Sequence, residues 1–113
     1  MVCLLCLILL AADEPPRVAF LRPPSFISED FAAPFYVRVP LATENRLLAV
    51  AAFDGEFRVQ YTERDLSSEG RKTVWDIVWR LPAGDIVLVA AVFGDLKELA
   101  RDTHTVHVLS RSP

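Results

Sequence analysis

The closest thing to a metal-ligand pair in this 113-residue chain is "THTVH", which sets His104 three residues before His107. The surrounding residues have strand character, and on a strand positions three apart point to opposite faces. The two rings therefore diverge and cannot chelate one ion without a bulge. One histidine is expected near the core edge and the other in solvent. Glu63, Asp65 and Glu69, or Asp54 with Glu56, lack the dense Asp/Asn/Gly spacing of a calcium loop and read as solvated acids. Ser67, His104 and Asp76 supply the residue types of a hydrolytic triad, but no G-x-S-x-G elbow accompanies the serine. The other carboxylates are scattered over turns and outer faces rather than paired across a cleft. The four glycines form no phosphate-cradling loop. We therefore assign no catalytic, cofactor-binding or metal-ligating residue, expect no cofactor, and expect a protein that is not an enzyme.

Trp75 and Trp79 could stack on a sugar ring if they were exposed. The residues sharing their parity in "VWDIVWRL" are Ile77 and Leu81, however, and aliphatic residues at alternate positions mark a core face. Tyr36, on the polar parity with Arg38, is the better candidate for a solvent-facing aromatic.

The elements that would carry these residues are short and close together, as in an all-β sandwich or barrel. "RVAFL" (residues 17–21) is fenced by Pro15, Pro16, Pro23 and Pro24, and prolines confine a strand to a sheet edge. "PFYVRV" (residues 34–39) alternates, with Phe35, Val37 and Val39 on the buried face. "NRLLAVAAFDGEFRVQYTE" reads as a hairpin turning at Asp54-Gly55. Its first arm is apolar on both faces and interior, and its second is expected to bury Phe57, Val59 and Tyr61 and to expose Arg58, Gln60 and Thr62. A solvated loop over residues 62–73 follows, then "VWDIVWRL". "DIVLVAAVF" (residues 85–93) is apolar on both faces, as a central strand must be when one face is in the core and the other is partly covered. "LKELARDTHTVHVL" returns as a last strand over residues 103–109, preferred over one helical turn at residues 96–102. These make seven strands, for which two packed antiparallel sheets are the natural solution.

The stretch "LPAGDIVLVAAVF" followed by "TVHVL" resembles the last two strands of immunoglobulin-like and fibronectin type III-like sandwiches of secreted bacterial proteins. Leu81, Pro82 and Gly84 match the family's turn into its central strand, while Ile86 stands where a tyrosine is usual. The resemblance implies a seven-stranded antiparallel immunoglobulin-like β-sandwich with an extracytoplasmic interaction role, not a reaction.

The N-terminal "MVCLLCLILLAADEPP" has an apolar run over residues 2–12, too short for a bilayer span of about 20 residues. We read residues 1–12 as a signal peptide or N-terminal hydrophobic leader, cut before Asp13, and residues 13–113 as one domain. The rival reading of residues 1–12 is a buried strand. Cys3 and Cys6 have C-x-x-C spacing but lie in the leader, without the context of a redox motif, and Cys6 follows leucines rather than the small residues of a lipidation site. The mature chain would then have no thiol and no stable membrane span, and would be secreted or periplasmic. A net charge of −3, from 15 acids and 12 bases intermixed, leaves no basic stripe for nucleic acid. The expected partner is a protein, with weak self-association through an apolar outer face of the "DIVLVAAVF" strand. Three coverings of that face are available: the stems of Arg38 and Arg80, the segment over residues 23–35, or a partner. The alternative function is a carbohydrate-binding module using aromatics on one sandwich face.

Overall fold

A computed structural model describes residues 17–67 and 71–111; the leader, with Cys3 and Cys6, lies outside them. The described residues form eight strands and no helix: β1 Ala19–Phe20, β2 Phe26–Ser28, β3 Ala33–Arg38, β4 Leu47–Asp54, β5 Phe57–Asp65, β6 Val74–Trp79, β7 Gly84–Phe93 and β8 Glu98–Leu109. They make two sheets packed as a sandwich, one of order β1-β3-β6 and the other β2-β8-β7-β4-β5. Every pair is antiparallel except β2 with β8.

The eighth strand, absent from the seven-strand expectation, is β2. Leu21 still donates its N–H to Tyr36 O in the first sheet, but Pro23 and Pro24 have no N–H with which to continue that ladder. Arg22, at φ 44°, turns the chain away. It rejoins the second sheet, where Phe26 pairs with His107 and Ser28 with Leu109. A second left-handed residue, Asp30 at φ 66°, closes the turn in which Phe31 N–H donates to Ser28 O.

Alternation places the core. Phe35, Val37 and Val39 from β3 and its exit meet Trp75, Ile77, Trp79 and Leu81, and all seven are buried. Across the gap they face Leu48, Val50 and Ala52 of β4, Ile86, Leu88, Ala90 and Val92 of β7, and Val106 and Val108 of β8. β7 is central, between β8 and β4, and β4 is the interior arm of its hairpin. That hairpin turns one residue later than the Asp54-Gly55 pair suggests. Asp54 pairs with Phe57, so Gly55 and Glu56 are the turn, and Gly55 at φ 60° supplies the positive φ at its first position.

The expected facing of β5 is wrong. Phe57 is 78% exposed and Tyr61 42%, whereas Gln60 and Thr62 are half-buried on the core-facing side. Two causes act together. Val59 is an extra residue, since Ala52 pairs with Gln60 but Phe53 with Arg58, and this bulge breaks the strand's parity. The three-stranded sheet is also two strands narrower than its partner, so β5 overhangs it and only Val59 packs partly against the core. Residues 62–65, expected as loop, continue β5 along β4 to the Leu47–Asp65 pair.

Candidate functional site

Among the described residues, the side chains singled out for chemistry lie apart from one another. His104 lies on the inward parity of β8, where its Nε2 is 2.9 Å from Pro24 O; a carbonyl only accepts, so that nitrogen carries the proton. His107 points to the opposite face, with Nδ1 2.6 Å from Asp85 Oδ1 and its ring 5.2 Å from that of Phe26. Asp76 stands exposed on the outer side of the three-stranded sheet, and Ser67 Oγ donates to Asp65 Oδ1 at 2.6 Å. The triad types are thus not brought together. Among the described residues no three His, Cys, Asp or Glu side chains group to hold a metal, and no helix is long and apolar enough to cross a membrane.

Both tryptophans are in the core, Trp75 at 1% exposure and Trp79 at 8%. Among the described residues Trp75 Nε1 has no acceptor; packing holds that ring, with Lys72 Nζ 4.7 Å from its centroid. Among the described residues Asn45 is the buried polar one: its Nδ2 donates to Pro40 O at 3.1 Å, and its Oδ1 has no partner among them. The cavity beside it, lined by Val39, Pro40, Leu66 and Lys72 among others, measures about 20 Å³, room for a single water.

What remains is a surface. On the side of the five-stranded sheet away from the core, β4 presents Leu47, Ala49, Ala51 and Phe53, and β7 presents Val87, Val89, Ala91 and Phe93. The register aligns them in rows: Phe53 beside Val87, Ala51 beside Val89, Ala49 beside Ala91, Leu47 beside Phe93. A two-strand apolar stripe therefore runs down the middle of this face. Ala51 and Ala91 are shielded by larger neighbours, while Val87 is 37% exposed and Leu47, Ala49, Phe53, Val89 and Phe93 are half-buried.

Polar side chains border the stripe on both sides. On β8, Thr105, Thr103 and Arg101 stand opposite Val87, Val89 and Ala91. On β5, Arg58, Tyr61 and Glu63 stand opposite Phe53, Ala51 and Ala49. Arg58 lies over the Tyr61 ring at 4.4 Å, and Tyr61 OH donates to Glu63 Oε2 at 2.9 Å. Burial by its neighbours, and then that hydrogen bond, hold the Tyr61 phenol above its ordinary 10.0. Arg101 bonds Glu98 through two nitrogens, at 2.6 and 3.2 Å, which holds the Glu98 carboxyl below its ordinary value.

Of the expected coverings within the chain, neither arginine reaches this face. Arg38 stands on the outer side of the other sheet, between Ala19 and Val74, and Arg80 donates to Asp30 O. The segment over residues 23–35 covers one corner: Phe26 lies on His107, Ile27 and Phe35 turn into the core, and Phe31 is exposed.

Sequence reasoning missed Asp102. It shares the inward parity of Val106 and Val108, and its Oδ2 accepts the Phe20 N–H at 2.9 Å, joining β8 to β1 across the open side of the sandwich. A carboxylate on a buried parity was the signal available. No protein-family model matches the chain, and no curated protein matches it in sequence.

Proposed function

We propose that the chain is an immunoglobulin-like sandwich acting as a non-catalytic, extracytoplasmic module that binds protein through the outer face of its five-stranded sheet. The strand order supports the fold reading: the first edge is shared between the sheets, β1 joining one and β2 the other in parallel with the last strand. The apolar leader over residues 2–12 supports export. The observation that carries the function is the apolar stripe of β4 and β7 with polar borders, since a contiguous apolar patch rimmed by polar residues marks an interaction surface. The outer side of the other sheet differs, because Arg38, Asp76 and Arg80 interrupt its exposed Tyr36, Val74 and Val78.

Site-specific photo-crosslinking in the cells that make the protein tests this. A photoreactive residue replacing Val87 should give discrete protein adducts, and one replacing Asp76 should give none. Adducts from Asp76 alone, or from neither position, would overturn the reading.

A further inference from the structure

On the outer side of the narrow sheet, polar groups able to bind stand unused. Tyr36 of β3 lies in one row with Leu21, whose N–H its carbonyl accepts, and with Asp76 of β6; the next row sets Arg38 beside Val74. Arg22, turned out of the sheet at φ 44°, joins Leu21, Tyr36 and Val74 in lining an open cleft of about 510 Å³. Among the described residues, the side chains of Arg22, Tyr36, Arg38 and Asp76 have no hydrogen bond or ion pair to another, although Arg38 and Asp76 are diagonal neighbours. On the wide sheet's outer face the polar groups engage one another instead, Tyr61 with Glu63 and Arg101 with Glu98. A concave, mostly apolar surface with a few converging polar groups is the usual form of a small-molecule site.

The order of these groups specifies a ligand. Guanidinium, aromatic ring and carboxylate follow one another from the β1 side across β3 to β6, over two strand spacings or about 10 Å, the span of one sugar ring hydrogen-bonded at both sides. The Tyr36 ring takes a flat body with a hydrocarbon face. Asp76 only accepts, so it needs hydroxyl donors, and a vicinal pair suits its two oxygens. Arg22 only donates, and with Arg38 nearby and a single carboxylate between them the local charge is positive, so its complement is an anion, best a carboxylate bound by both prongs. Fatty and aromatic acids bring the anion without the hydroxyl pair; a neutral sugar brings the hydroxyls without the anion. We propose that this cleft binds the uronic acid residues of an acidic polysaccharide, the pyranose ring lying on Tyr36, its carboxylate on Arg22 and its hydroxyls on Asp76. One ring so held gives a Kd on the order of 1 mM, so the cleft fills against concentrated polysaccharide and stays open in dilute extract.

This site and the protein-binding face lie on opposite sides of the sandwich, so either can fail without the other. Amide chemical shifts of the purified protein, titrated with trimers of galacturonate and of glucuronate, test the cleft. At least one trimer should move the amides around Leu21, Tyr36 and Asp76 saturably and leave those of β4 and β7 in place. A neutral galactose trimer should bind about tenfold more weakly, having no anion for Arg22. Tyr36→Ala should weaken the acidic trimer about tenfold or more, while Tyr36→Phe should hold its affinity within about twofold, because the ring and not the hydroxyl is used. Arg22→Gln should bring the acidic trimer down to the level of the neutral one, and Asp76→Ala should weaken both. Thermal unfolding of each variant shows whether the fold is intact. No saturable shift with either acidic trimer overturns the proposal. So do equal binding of the galactose trimer, the same shifts from acetate at equal concentration, which would mark a bare anion site, or full affinity in Tyr36→Ala.

Discussion

β6 and β5 read alike in sequence, each alternating bulky apolar with polar residues, yet the structure treats them in opposite ways. Trp75, Ile77 and Trp79 of β6 are all buried, while Phe57 and Tyr61 of β5 are among the exposed apolar side chains. The difference lies in what stands opposite. β6 belongs to the narrow sheet and faces the middle of the wide one, whereas β5 overhangs the narrow sheet's edge and carries the Val59 bulge. Alternation reports that a strand has two unlike faces; the opposing layer decides which of them is dry.

Substitutions in the two strands should break this comparison if it is wrong. Trp75→Ala should cost about 3–5 kcal/mol of stability, the range for large aromatic side chains deleted from cores. Arg58→Ala on β5 should stay within about 0.5 kcal/mol, as exposed substitutions do. Denaturant titration of both proteins measures the gap, and comparable losses would mean the strands are equally covered.

Closure of the sandwich on its open side sharpens the same point, because there a single hydrogen bond stands in for a covering strand. Asp102→Ala leaves the Phe20 N–H without its acceptor and should cost about 1–3 kcal/mol. Hydrogen exchange should show that amide opening selectively. A uniform change over all strands would contradict the local role.

Smaller effects belong to the overhanging hairpin and its surroundings. Gly55→Ala should cost about 1 kcal/mol in a thermal melt, since a Cβ at φ 60° is strained although nothing lies within 4 Å of it. The smallest effect is the pH dependence of the Glu98–Arg101 pair. The folded Glu98 carboxyl is held below its ordinary 4.5 by the Arg101 hydrogen bond, so its contribution is present above that value and lost as pH falls through the folded value. The stability difference between wild type and Arg101→Gln should therefore be small at neutral pH and vanish under acid. A difference that grew as pH fell would reverse the sign assigned to the pair.

The core was legible wherever a strand had a full layer opposite it. Phe35, Val37, Trp75, Ile77 and Trp79 turn inward as their parity requires, and residues 85–93 are central because both faces are apolar. Three features were not legible, each for a non-local reason. Phe26–Ser28 becomes a strand because β8 offers it a free edge, not because three residues propagate an alternation. The bulge at Val59 leaves no mark in composition. The Asp102 contact depends on β1 lying beside β8, a proximity that sequence separation conceals. At the candidate site, the two apolar faces of "DIVLVAAVF" could be read directly, whereas which of them lies outside, and what borders it, required the register of four strands.

Two tyrosines permit the most direct test of the central claim, that the outer face of the five-stranded sheet is the one that binds. Tyr36 on the narrow sheet and Tyr61 on the wide one are nearly equally exposed in the single chain, at 45% and 42%. Hydroxyl-radical labelling read by mass spectrometry should mark them to similar extents in dilute purified protein. In extract of the cells that make it, Tyr61 alone should become protected. Protection of Tyr36 instead, or of neither, would contradict the account.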